Sequence, residues 1–178
     1  MIETARLILR RPEERDREAL FAMNADPRVA EWLAGPMSRE ANDAQIARIQ
    51  DHIDAKGYGF WAAVRKADGQ AIGLAGLLTM GEDLPPGPAL EIGWRFATEA
   101  WGQGYATEAA HAALDWAFAN TDAPEVIAIT ARTNLRSQAV MRRIGMAPEP
   151  WRDFDHPRVP DDSPLKAHVT FAAKRPAQ

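Results

Sequence analysis

The nine residues Trp101-Gly102-Gln103-Gly104-Tyr105-Ala106-Thr107-Glu108-Ala109 constrain the fold most, because they link a strand pattern to a helix pattern. Before them, Leu90 to Phe96 reads as a strand. After them, Ala106 to Phe118 reads as a helix with a polar stripe at Glu108, His111 and Asp115. Glycines at 102 and 104 let the backbone come close to a ligand. The free N–H groups and dipole of the helix start suit a pyrophosphate. A tight strand–helix connection without a ligand is the competing reading, since a glycine loop alone is weakly specific. Two common phosphate loops are excluded. A P-loop needs Gly-Lys-Ser/Thr, which the chain lacks, and the dinucleotide fingerprint needs glycine where Thr107 stands. The acidic ribose ligand is missing as well, because the strand Val126 to Ala131 runs into Arg132-Thr133-Asn134.

The remaining pattern alternates strands and helices. Thr4 to Arg10 reads as a first strand, with Leu7 and Leu9 on one side and Arg6, Ile8 and Arg10 on the other. A helix carrying Leu20, Phe21 and Met23 breaks at Asp26-Pro27, and Val29, Trp32 and Leu33 continue a short helical stretch. Ser38 is placed to cap the next helix, which buries Ile46, Ile49 and Ile53 and stops at Gly57. Phe60 to Val64 and Ile72 to Met80 form a hairpin around Asp68-Gly69. Val126 to Ala131 is nearly all apolar, as a strand buried on both faces must be. Leu135 to Ile144 is a helix ended by Gly145, and Ala167 to Ala172 is a closing strand. With no repeat and no linker, residues 1–178 read as a single domain: one mixed sheet with helices on its faces.

Composition narrows the function classes. The absence of cysteine rules out disulfides, thiolate metal sites and a cysteine nucleophile. The 21 basic and 25 acidic residues are interleaved, so no basic face for nucleic acid is expected. No apolar run is long enough for a membrane span, and the N-terminus has no secretory pattern, which favours the cytoplasm. His156 and His168, twelve residues apart and without a third ligand, make a poor metal site, and no metal is expected.

In this order and spacing the motifs resemble the GNAT acetyltransferase superfamily, in particular its RimJ/RimL-like N-acetyltransferases. The loop is similar to the family's Arg/Gln-x-x-Gly-x-Gly/Ala signature, with Gly104 and Ala106 at the small positions and Trp101 replacing Arg/Gln. Thr4 to Arg10 resembles the opening strand, Asp26-Pro27-Arg28-Val29 the first helical break, and Glu91-Ile92-Gly93-Trp94 the central strand. Thr133-Asn134-x-x-Ser137, continuing to Arg143-Ile144-Gly145-Met146, resembles the second cofactor motif. The resemblance implies an α/β (α+β) fold with a mixed, mostly antiparallel sheet of about seven strands and helices on both faces. It also implies that the strands at 90–96 and 126–131 splay apart, so that the pantetheine arm of acetyl-CoA can enter between them.

The implied activity is acetyl transfer from acetyl-CoA to a primary amine, either a protein N-terminus or a small molecule. The alternatives are a CoA-binding regulatory module without turnover and a purely structural interaction domain. The resemblance implies cofactor contacts from Trp94, Phe96, Gly102, Gln103, Gly104, Tyr105, Ala106, Thr107, Asn134 and Ser137. Attack on a thioester needs a neutral amine, hence a base, and Glu91 in the central strand is the candidate unless a structural arginine takes it. Ser137 is the candidate acid for the departing thiolate; a first-turn hydroxyl bonded to local backbone would explain it equally. Asn134 could be a plain helix cap, and Tyr105 fits packing better than acid catalysis. Trp32 and His156 are candidates for the acceptor pocket, with Trp61 either there or in the core. The segment Trp151 to Pro164 either covers the acceptor side of the cleft, where its aspartates, Asp153 and Asp155 among them, would favour cationic acceptors, or is a plain surface loop. Either a monomer or a homodimer is compatible with the sequence.

Overall fold

In a computed structural model, which describes residues 1–33 and 35–176, the chain begins with a bend in place of one long strand. β1 (Ile2–Glu3) and β2 (Leu7–Arg10) pair antiparallel, with Ile2 opposite Leu9. Thr4 closes the bend: its N–H donates to the Leu7 carbonyl and its hydroxyl oxygen accepts from the Leu7 N–H, both at 2.9 Å. The expected strand from Thr4 to Arg10 is therefore halved, yet its alternation holds, because Leu7 and Leu9 are wholly buried. Each leucine buried in this way contributes about 2–3 kcal/mol.

α1 (Arg17–Ala25) ends where Asp26 turns extended, and α2 (Pro27–Ala30) starts anew with the Asp26 carboxylate accepting from the Arg28 N–H. α3 (Arg39–Lys56) begins at Ser38, whose hydroxyl accepts from the Ala41 N–H at 3.2 Å, and stops at Gly57. β3 (Phe60–Arg65), β4 (Ala71–Met80) and β5 (Ala89–Phe96) form an antiparallel meander. α4 (Tyr105–Asn120) crosses over to β6 (Glu125–Ala131), which is parallel to β5. α5 (Leu135–Arg143) then leads to β7 (Ala147–Pro148), β8 (Phe154–Asp155) and β9 (Ala167–Lys174).

The nine strands form one mixed, mostly antiparallel sheet in the order β1-β2-β3-β4-β5-β6-β9-β7, with β8 also on β9. The count exceeds the expected seven or so because β1, β7 and β8 are two-residue strands. On one face, Leu20, Met23, Val29, Ile46 and Ile49 of α1 to α3 pack around Leu74. On the other, Ala109, Ala113 and Ala117 of α4 and Met141 of α5 pack against Leu7, Leu9, Ile92, Val126 and Phe171. β6 is buried on both sides, with Val126 facing α4 and Ile127 packed against Met80, Leu84 and Ala172.

β5 and β6 are paired only at Leu90–Val126 and Glu91–Ile127. Beyond Glu91 each strand keeps its other neighbour, β5 staying on β4 and β6 on β9, so the sheet opens between them. The Ala97 N–H donates to the Ile72 carbonyl at 3.0 Å. By the alternation of an antiparallel ladder, the backbone groups of Ile92, Trp94 and Phe96 then turn away from β4 and toward the opening.

Candidate active site

One cleft of about 1600 Å³ runs from the start of α4, through the gap between β5 and β6, to the face covered by α3. At its first end Gly104 caps α4 with φ +81°. A Cβ at 104 would meet only the Arg6 Nη2, at 3.4 Å, so glycine is required there by the left-handed backbone and not by packing. Among the described residues, no N–H from Gly102 to Thr107 donates to another group of the chain. This is a row of donors at the positive end of a helix dipole, as anion binding needs.

The loop is held from two sides. Glu108 Oε1 accepts from the Thr4 hydroxyl at 2.6 Å and from the Arg6 N–H at 2.7 Å, while Oε2 accepts from Arg6 Nε at 2.6 Å. Burial pushes the Glu108 carboxyl up, but these hydrogen bonds outweigh it and hold the group below its ordinary range. Arg6 also donates to the Gln103 carbonyl at 2.9 Å and lies over the Tyr105 ring, 4.4 Å from its centroid. Tyr105 is thus a packing residue at the cleft wall. From the other side, Trp101 Nε1 donates to the Phe96 carbonyl at 2.8 Å, and the Arg136 guanidinium sits 4.9 Å from the Trp101 ring centroid. The tryptophan that departs from the resembled signature ties the loop to the end of β5. It also occupies the Phe96 carbonyl, so the Phe96 N–H and the backbone of Trp94 remain to face the gap.

α5 brings Asn134 and Ser137 to the cleft. Asn134 caps the helix, its Oδ1 accepting from the Ser137 N–H at 3.1 Å, and its amide nitrogen donates to nothing among the described residues. The Ser137 hydroxyl likewise has no hydrogen-bond partner among them, so it is not satisfying local backbone.

The second end of the cleft is built on alternate residues of β5. Glu91, Gly93 and Arg95 point to the side of α1 and α3, where Glu91 lines the cleft without a hydrogen bond or ion pair to any described residue. Burial alone pushes its carboxyl up from 4.5 to about 7. No arginine takes it. At Gly93 a Cβ would lie 2.8 Å from the tip of the Phe60 ring, so glycine here admits that ring between Glu91 and Arg95. Trp32 from the segment after α2 lines the same space, as do Arg48 and His52 of α3.

The structure places three further candidates. Trp61 is buried in the core with its ring against Trp116, 5.3 Å between centroids, and does not line the cleft. His156 is not among the lining residues, its ring lying tilted 4.7 Å from that of His168, and His168 reaches the wall as His52 does. The segment after α5 is tied down, not draped over the cleft. Asp153 is consumed by the Thr170 N–H at 3.0 Å and by Arg132, Asp155 sits in β8, and neither lines the cleft. Gln103 contributes backbone alone, its side chain donating to the Glu99 carbonyl at 2.6 Å. Sequence reasoning missed Arg6 and Arg95. Arg6 had no local signal. Arg95 had one, since it stands four residues from Glu91 on the same strand face.

An extended gap in a sheet, with unpaired backbone along it and a helix start with free N–H donors at its mouth, leaves room for a long ligand beside a partly buried carboxyl. A family model described as an acetyltransferase (GNAT) domain matches residues 6–147. The uncharacterized protein YkkB of Bacillus subtilis is 31% identical over 144 residues, 80% of this chain and 83% of YkkB. The FsC-acetyl coenzyme A-N(2)-transacetylase of Aspergillus fumigatus is 28% identical over 154 residues, 82% of this chain and 64% of that enzyme. A GNAT-family acetyltransferase from Bacillus anthracis shares the fold with a TM-score of 0.82 at 23% identity, over 98% of both chains. The chain belongs to the GNAT acetyltransferase family, and it is an acetyl-CoA-dependent acetyltransferase.

Proposed function

We propose that the chain transfers the acetyl group of acetyl-CoA to a primary amine by direct attack of the amine on the thioester, as a cytoplasmic, RimJ/RimL-like N-acetyltransferase of one domain. The carrying observation is the enclosed, unpaired Glu91 carboxyl, with its value near 7, at the point where β5 and β6 part. The chain's residues fit acetyl-CoA: donors from Gly102 to Thr107 suit its pyrophosphate, and the backbone of Trp94 together with the Asn134 amide suits its pantetheine arm. When bound, it supplies the activated acyl group.

In this reading Glu91 takes the proton of the incoming ammonium by way of water in the cleft, since a base near the working pH is both deprotonated and strong enough to accept. The Phe96 N–H, facing the gap, is the donor for the oxygen that becomes negative as the C–N bond forms. As the C–S bond breaks, the Ser137 hydroxyl passes a proton to the thiolate and regains one from the second proton that the attacking nitrogen sheds, a modest help for a group with a pKa near ~8.5. Glu91→Gln tests the base. Wild-type kcat/KM should rise with pH through about 7, and the variant should lose that limb together with about 10²–10⁴-fold in rate. A variant that keeps both the rate and the limb excludes Glu91 as the base.

A further inference from the structure

Arg95 is the one charged neighbour of Glu91 on its own strand face, and its charge is not neutralised. Its Nη1 donates to Asn24 Oδ1 at 2.6 Å and, more weakly, to Gln45 Oε1 at 3.5 Å. Asn24 is wholly buried and is itself fixed, its Nδ2 donating to Asn42 Oδ1 at 2.9 Å and to Gln45 Oε1 at 3.2 Å. Neutral amides thus aim the guanidinium without balancing it. The other edge of the fork, Nε with Nη2, donates to nothing among the described residues, and Arg95 forms no ion pair among them. Arg10, also on the sheet, shows the contrast: the nearly buried Asp16 accepts from it at 2.6 and 2.9 Å. A cation held partly out of water without a counter-charge is costly. The Nε–Nη2 edge presents two parallel N–H groups, the geometry that matches a carboxylate. Burial draws the Arg95 guanidinium down to about 10, which leaves it charged at neutral pH.

Spacing sets the rest of the ligand. Glu91 and Arg95 are four residues apart on one strand, roughly 13 Å between Cα atoms, and their side chains converge on the same cleft. The Phe60 ring lies between them on Gly93, with Val29, Trp32 and Leu33 along the wall. Arg48, one turn beyond Gln45 on α3, adds a second positive charge without an ion pair among the described residues. We infer that the acceptor is a primary amine that also bears a carboxylate, joined through an apolar body, and that the free fork of Arg95 holds that carboxylate. This rests on the amine-acetylation reading and deepens it; it also reverses the expectation of a purely cationic acceptor.

The test compares amines that differ only in the anionic group: apolar α-amino acids and ω-amino acids of graded length, each against its carboxamide. With saturating acetyl-CoA, wild-type kcat/KM should favour the acid by at least about 10-fold, the scale of a charge-assisted hydrogen-bond pair. Arg95→Gln should erase that preference by lowering the acid while leaving the carboxamide within about threefold. Carboxamides acetylated as well as their acids by the wild type would overturn the inference and leave amine acetylation standing. So would an Arg95→Gln loss shared equally by both. A second readout needs neither turnover nor a variant: with CoA present, the N-acetylated acids should raise the wild-type melting temperature and their carboxamides should not. Equal shifts would also overturn the inference. Acids that bind selectively while no amine is acetylated would instead contradict the acetyl-transfer reading and spare the Arg95 site.

Discussion

Glu91 makes a stability prediction as well as a kinetic one. Its folded-state value of about 7 lies above its ordinary 4.5, so the native chain holds a proton that the unfolded chain releases between those values. The stability linked to this proton is fully present below about pH 4.5, is lost as pH rises through about 7, and is gone above it. At about 1.4 kcal/mol per pH unit the gap amounts to about 3 kcal/mol as an upper figure. Glu91→Gln, which never ionises, should therefore melt several degrees above wild type at pH 8 and level with it near pH 4.5. A variant no more stable at pH 8 would show that Glu91 ionises there without penalty. Ser137 acts on a different step. Ser137→Ala should lower kcat and kcat/KM together with acetyl-CoA affinity nearly constant, by about 10²–10⁴-fold for acid catalysis. Activity within about threefold of wild type would make Ser137 a bystander and water the better acid.

At the scale of elements, the start of α4 carries the clearest prediction. Acetyl-CoA at about 100 times its dissociation constant should add roughly 2.7 kcal/mol, or about 5–10 °C for a domain of this size. Gly104→Val should abolish that shift, and its positive φ adds a strain of order 1–3 kcal/mol. Gly57→Val is the control. It imposes the same strain at φ +78°, in open space at the end of α3, and should keep the acetyl-CoA shift. An undiminished shift in the Gly104 variant would remove the pyrophosphate from this loop.

What the sequence made legible at this scale is what local chemistry decides. Gly102 and Gly104 mark a turn before a helix, Leu7 and Leu9 alternate into the core, and the run 126–131 announces burial on both sides. What it hid depends on distance or on local competition. The bend at Thr4 wins over strand pairing through bonds to Leu7, three residues away. The Arg6–Glu108 pair spans 102 residues, and Arg95 meets Asn24 across 71. The proline- and aspartate-rich tail reads as irregular, yet β7 and β8 dock on β9, where Asp153 serves Thr170 and leaves the acceptor alone.

The whole molecule divides its labour across the sheet. The loop before α4 and the start of α5 flank one end of the gap, while α1, α2 and α3 cover the face that holds Glu91 and Arg95. β5 joins the two, with backbone turned to the gap at Trp94 and Phe96 and the side chains of Glu91 and Arg95 turned to the cleft beneath α1 to α3. Transfer at the crossing of these surfaces is tested by thiol release from acetyl-CoA at pH 8 across a panel of primary amines, with the acetylated product identified by mass. Release should depend on the amine, with one N-acetylated product per thiol and a loss of both in Glu91→Gln. Acetyl-CoA that raises the melting temperature yet yields neither thiol nor N-acetylated product with any amine would contradict it, and would make the chain a CoA-binding module without turnover.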